Sequence, residues 1–242
     1  MTLAPFFAQD AQALRETAIA VGLHLNLTEP GASHMPAQSL RQVIARSIMH
    51  QWSSSSLAKE IQLQLDAFET QMHRPPTHID GHQHVHALPQ VRDALMDVLC
   101  KRYPHCPPVL RSTKKGANGP TFADLFKAFV IETLGSRSMK ALAHQKRIPT
   151  TRALLGVYGF DAPASTYLNH LTWWIKRAQP QDLIMCHPAL DVFDPDALGP
   201  QRQIEFHVLS STQFQQTLDR CQVHIALGIP KQDLIQPSQT LT

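Results

Sequence analysis

Thr77-His78-Ile79-Asp80-Gly81-His82-Gln83-His84-Val85-His86 is the stretch on which the reading of this chain turns. Pro75-Pro76 stops any helix before it, because proline lacks an N–H and its ring crowds the preceding turn. A short strand can therefore begin at Thr77. In extended backbone, residues two apart share a face, so His78, Asp80, His82, His84 and His86 would line one face if the strand persisted. Gly81 predicts a turn or bulge, so that only some of them converge. Imidazole and carboxylate together suit a divalent ion such as Zn²⁺, Mg²⁺ or Mn²⁺. The competing reading is a His-rich surface loop that binds metal incidentally. The strand-like Thr-His-Ile-Asp ahead of the cluster favours a built site, since α/β folds place theirs at strand ends.

Outward from this stretch, helices and strands alternate. Upstream, Gln9 to Ala18 reads as a helix, Ile19 to Leu27 as a strand, and Ser39 to Trp52 and Leu57 to His73 as helices. The last carries apolar residues at Leu57, Ile61, Leu63, Leu65, Phe68 and Met72, roughly the period of an amphipathic helix. Downstream, Pro89 suits the first turn of a helix running to about Arg102. Val109 to Ser112 is a candidate strand and Phe122 to Gln145 is mostly helical. Ala153 to Phe160 gives no clear element. Ser165 to Arg177 is a helix, Leu183 to Cys186 a buried strand, Ser211 to Arg220 a helix and Val223 to Leu227 a final strand. The alternation predicts an α/β fold with a mostly parallel sheet.

The chain has 242 residues, 43% of them hydrophobic, enough for one sizeable core. Lys+Arg 22 against Asp+Glu 19 leaves a formal charge of +3, which gives no electrostatic case for nucleic acid or anionic lipid. Apolar runs fall short of a membrane span, and the start carries no basic leader. Four widely spaced cysteines form no CxxC pair and read as reduced thiols of a cytoplasmic protein. No Gly-x-Gly-x-x-Gly or Walker A signature follows a strand, so nucleotide-phosphate cradling has little support.

Two further histidines sit where apolar strands run or end. One is His24 in Gly22-Leu23-His24-Leu25-Asn26-Leu27-Thr28; the other is His187 in Ile184-Met185-Cys186-His187-Pro188. Each alone reads equally as a hydrogen-bonded core residue. In a barrel, however, the C-terminal strand ends converge on one mouth. The three together favour hydrolysis by metal-activated water, with a nearby His supplying a proton to the leaving group.

These three motifs, in this order, resemble the YdjC-like carbohydrate deacetylases, a group that includes chito-oligosaccharide deacetylases and hopanoid-associated relatives. Leu110-Arg111, Tyr158-Gly159-Phe160, and Arg202 with Glu205 before Val208-Leu209 are weaker echoes. The resemblance implies a distorted (β/α) barrel of the glycoside hydrolase/deacetylase type that removes acetyl groups from N-acetylated sugars. It implies His24 and His82 as ligands of a divalent metal, Mg²⁺ or Zn²⁺, and His187 as the acid or substrate-orienting residue. Asp80, His84, His86 and Arg111 would support the ligands or the substrate; core packing is the competing reading for His86 and Arg111.

The departure from the pattern concerns a carboxylate. Members of the group open with a strand ending in Asn-Ala-Asp-Asp-Phe-Gly, whose aspartates complete the metal site and activate water. No Asp-Asp pair occurs in this chain, and Asp10 lies in a helical stretch. The expectation is a barrel lacking its first strand and helix, a βαβ-sized piece on the order of 40 residues. Such a chain would form one incomplete domain over residues 1–229 with a polar tail over 230–242, and would be inactive or impaired. Two strand edges would be left open, with room for a homo-oligomer of unset symmetry. The alternative function is a non-catalytic remnant that binds carbohydrate or metal; a metal phosphoesterase would be expected to carry more clustered carboxylates.

Overall fold

The computed structural model describes the chain except for residues 1, 5, 30, 32, 37, 118–120, 192–197, 226–227 and 229–242. Its contacts gather into two compact units, one of Met1–Thr113 with Thr133–Thr151, the other of Lys114–Glu132 with Arg152–Ala226. The expected tail over 230–242 lies outside the described residues.

In the first unit, helix α1 (Phe7–Arg15) precedes strand β1 (Leu23–Leu25). Helices α2 (Leu40–Ile48) and α3 (Ser54–Met72) follow. Ser39 caps α2 in a capping box with Gln42, each side chain accepting from the other's backbone N–H. Ser53 caps α3, and His73 closes it at φ 54°, just ahead of the two prolines. The apolar period of α3 does what it predicts: Leu57, Ile61, Leu65 and Phe68 are all fully buried. Burying each such side chain contributes about 1.5–3 kcal/mol.

Strand β2 (His78–Gly81), helix α4 (Val91–Arg102) and strand β3 (Val109–Leu110) complete the first sheet, whose order is β1-β2-β3 with every pair parallel. β1 and β2 pair in the register Leu23↔Ile79, His24↔Asp80, Leu25↔Gly81. Leu23, Leu25 and Ile79 enter the core, so the period-2 rule puts His24 and Asp80 side by side on the opposite face. β1 is shorter than the run from Ile19 to Leu27 suggests, and at its C-terminal end Asn26 turns the chain. Its side-chain oxygen accepts from the N–H groups of Thr28 and Glu29 at 3.1 and 3.0 Å.

Phe122 to Gln145, expected as one mostly helical stretch, divides into α5 (Phe122–Thr133) and α6 (Ser136–Gln145) at Gly135. There φ is +155°, and a Cβ would come within 2.0 Å of the Ala87 carbonyl oxygen. Only glycine fits both demands.

In the second unit, β4 (Ala153–Leu155) pairs in parallel with β5 (Asp182–Ile184). Helices α7 (Ala164–Ile175), α8 (Gly199–Leu209) and α9 (Thr212–Cys221) pack on one another. They bury Tyr158, Tyr167, Leu171, Trp174, Phe214 and Leu218 together. Sequence reading misses α8, whose buried face is Gly199, Gln201, Glu205 and Val208; three of those four carry no apolar signal. The expected final strand over Val223 to Leu227 does not form: Val223 to Ile225 are irregular, and 226–227 lie outside the described residues. Among the described residues, no helix is long and apolar enough to cross a membrane.

Candidate functional site

The first unit gathers most of the expected residues. His24 Nδ1 lies 2.7 Å from Asp80 Oδ1, and Asp80 Oδ2 lies 2.8 Å from Arg111 Nη1. The cross-strand register supplies the first contact. The second arises because Arg111 follows directly on β3, the neighbour of β2. Arg111 is buried, its guanidinium also donating to the Gly81 carbonyl at 2.8 Å. Burial by itself would raise the Asp80 carboxyl, but Arg111 and then the His24 hydrogen bond outweigh it, holding Asp80 far below the usual carboxylate range. Asp80 is therefore an anion, and with a proton on His24 Nδ1 it fixes both tautomer and ring orientation, leaving Nε2 without the proton.

After Gly81 the strand gives way to a 3₁₀ turn over His82–Ala87, with Gln83 and His84 in the left-handed region at φ 49° and 64°. A Cβ on Gly81 would lie 2.8 Å from both the backbone N and the Nδ1 of His86. Glycine is thus what lets the turn fold back. The five alternate residues consequently do not share one face. His86 is fully buried and donates from Nε2 to the Arg111 carbonyl at 2.9 Å. Burial first, and then Arg111, push its pKa down to about 3, so it is a neutral imidazole that anchors the Arg111 backbone. His84 Nδ1 lies 3.3 Å from Arg111 Nη2, and burial, followed by Arg111, lowers its pKa well below the ordinary value.

His82 lies beside His24. Its ring stands edge-on to that of His24, with centroids 5.6 Å apart and planes at 75°. Its Nε2 lies 3.1 Å from Glu29 Oε1. Sequence reading missed Glu29, which sits in a loop with no periodic pattern. The available signal was Asn26, a turn-former at a strand end with an acid three residues on. Gln64 of α3 fastens this loop, accepting from Asn26 N at 3.0 Å and donating to Asn26 O at 2.7 Å. Asp10 stands exposed on α1.

By donor type, His24 and His82 are two imidazoles that could ligate a divalent ion, and a carboxylate orients the His24 ring. Among the described residues, no three His, Cys, Asp or Glu side chains gather about one point.

His187 belongs to the second unit, three residues past β5. Its backbone N–H donates to Glu205 Oε2 at 2.5 Å, while Tyr158 Oη donates to Glu205 Oε1 at 2.5 Å. Glu205 is fully buried and so ties the His187 loop to the β4–α7 loop. The His187 ring meets Phe160 edge-on at 5.2 Å. Beside it, burial and then Glu205 push the Cys186 thiol up to about 11; a neutral thiol is a poor nucleophile at neutral pH.

Helices alternating with parallel strands in both units define an α/β protein. The chain belongs to the YdjC-like protein family, whose model matches residues 1–220. It is 32% identical to a mouse carbohydrate deacetylase over 105 residues, which take in 37% of this chain and 33% of that protein. The zebrafish carbohydrate deacetylase is 33% identical over 91 residues, 33% of this chain and 29% of that one. This chain thus spans about a third of the length of the curated relatives it matches. A chitooligosaccharide deacetylase of Yersinia pestis (strain Pestoides F) is 49% identical over 37 residues, 15% of each chain. Among solved structures, a protein of Enterococcus faecalis named for cellobiose-phosphate cleavage superposes with a TM-score of 0.63 at 19% identity. That match covers 93% of this chain and 84% of the other, and it bears on the fold alone.

Proposed function

We propose that the protein is a carbohydrate deacetylase that hydrolyses the acetamido group of an N-acetylated sugar. The observation that carries this reading is the pairing of His24 with Asp80, backed by Arg111 and set edge-on to His82 at the C-terminal ends of β1 and β2. The names of the mouse and Yersinia relatives supply the sugar and the acetyl group. His24 and His82 would hold a divalent ion, Mg²⁺ or Zn²⁺, which supplies Lewis acidity toward the acetamide carbonyl and activation of water.

The chain's own residues do the rest. Asp80 orients the His24 ring, and Arg111 keeps Asp80 ionised. His86, neutral and buried, and the half-buried His84 hold Arg111 in place. Water oxygen adds to the acetyl carbon and gives up a proton to solvent, the C–N bond breaks, and the departing amine nitrogen takes a proton, the role that the family resemblance gives to His187, as acetate leaves. Without an Asp-Asp pair, residues 1–242 are expected to turn over weakly or not at all.

Acetate release from N,N′-diacetylchitobiose, with Mg²⁺ or Zn²⁺ present, tests the reading. Release that disappears in His24→Ala and His82→Ala supports it, whereas release that persists in both variants overturns it. A second reading, a non-catalytic carbohydrate or metal binder, draws on the lack of a three-donor group among the described residues. Sugar binding with no acetate release under either metal selects it.

A further inference from the structure

The unit that carries His187 also holds a cleft that the proposed chemistry does not use. Its volume is about 500 Å³, with Phe160 and Asp161 of the β4–α7 loop on one side and Pro200, Gln201 and Ile204 of α8 on the other. That size is in the range of small-ligand sites.

Phe160 is held there against its own backbone preference. Its φ is 60°, a region that large side chains enter only when their surroundings over-determine it. The ring is packed against Tyr158 at 4.6 Å and against the His187 edge at 5.2 Å. Tyr158 is in turn fixed by the buried Glu205. This clamp leaves Phe160 half-buried, as one wall of the cleft. Beside it is the exposed Asp161, an acceptor-only carboxylate.

We propose that this cleft is a sugar subsite that takes one ring of an N-acetylated oligosaccharide. An aromatic face carries negative quadrupole potential and attracts the weakly positive C–H face of a pyranose. Asp161 accepts from ring hydroxyls. A ring seated on Phe160 lies beside His187, the residue assigned to proton delivery. The class of sugar rests on the deacetylase reading; the aromatic-and-carboxylate recognition of a pyranose does not.

Ligand-observed saturation-transfer NMR with N,N′-diacetylchitobiose, run on the full chain and alongside the acetate assay, tests this. Phe160→Leu keeps apolar volume against Tyr158 but removes the π face, and Asp161→Asn removes the charge at an exposed position. Circular dichroism confirms that both fold. Binding is expected to weaken about tenfold in Phe160→Leu and about threefold in Asp161→Asn, each tenfold being about 1.4 kcal/mol. Unchanged binding in both variants overturns the subsite. If the wild type releases acetate with the same KM as both variants, the subsite falls and the deacetylase reading stands. If binding depends on Phe160 while acetate release persists in both His24→Ala and His82→Ala, the subsite stands and the deacetylase reading falls.

Discussion

Asp80 and Glu205 are the central carboxylates of their respective units, and they are held in different ways. Asp80 is clamped between a buried guanidinium and an imidazole. Glu205 accepts from a neutral phenol and a backbone N–H. The first arrangement depends on charge: Arg111 is buried and pairs with Asp80, so the anion stabilises the cation as much as it orients His24. The second depends on shape, because both donors are neutral and an uncharged acceptor can partly replace the carboxylate. An electrostatic relay and a geometric brace should therefore fail differently when mutated.

Asp80→Asn is the most damaging test. It preserves volume but leaves the Arg111 charge buried and uncompensated, a loss of about 3–5 kcal/mol. Urea unfolding at pH 7 measures it, and a loss below about 1 kcal/mol would show that the relay is not electrostatic. The pH dependence is next in size. His86 has its folded pKa depressed to about 3, against about 6.5 when unfolded. The unfolded chain therefore binds the extra proton first. The contribution of His86 is fully present above about pH 6.5 and is lost as pH falls toward 3. Between pH 6.5 and 4.5 this amounts to about 2–3 kcal/mol. His86→Asn should reduce the difference between the two pH values, whatever its own baseline stability, and an undiminished difference would place the acid sensitivity elsewhere.

Glu205→Gln should cost only about 1–2 kcal/mol. One amide oxygen still accepts from the His187 N–H, and Tyr158 Oη can turn to accept from the amide NH₂. Glu205→Ala, which orphans both donors, should cost more; equal losses for the two variants would refute the geometric account. Glu29→Gln is the smallest change. Its pair with His82 is half exposed, with Glu29 46% accessible, so the stability effect should stay under about 1 kcal/mol.

Much of this was legible beforehand. The spacing of apolar residues gives α3, the double proline gives its end, and period-2 alternation gives the strand at His78. What stayed hidden did so for identifiable reasons. The hydrophobic period is silent on α8 because it buries Gly199, Gln201 and Glu205. β4 is three residues long, too short for alternation to register. Val223 to Ile225 show a strand-like composition, but strands need partners and these residues pair with none among the described residues. Glu29 lies in a loop, where side-chain spacing carries no directional rule.

The amino-acid sequence by itself determined the alternation of helices and strands, the resemblance carried by the His24, His82 and His187 motifs, and the lack of an Asp-Asp pair. Those properties follow from local propensity and residue identity, which neighbours in the chain settle. Which carboxylate meets which histidine was decided only by the tertiary structure. The β1–β2 register places Asp80 opposite His24, Gly81 diverts the backbone so that His86 is buried beneath Arg111, and the turn at Asn26 brings Glu29 to His82. Contacts between residues some 50 positions apart depend on strand register and backbone direction, and no local pattern encodes either.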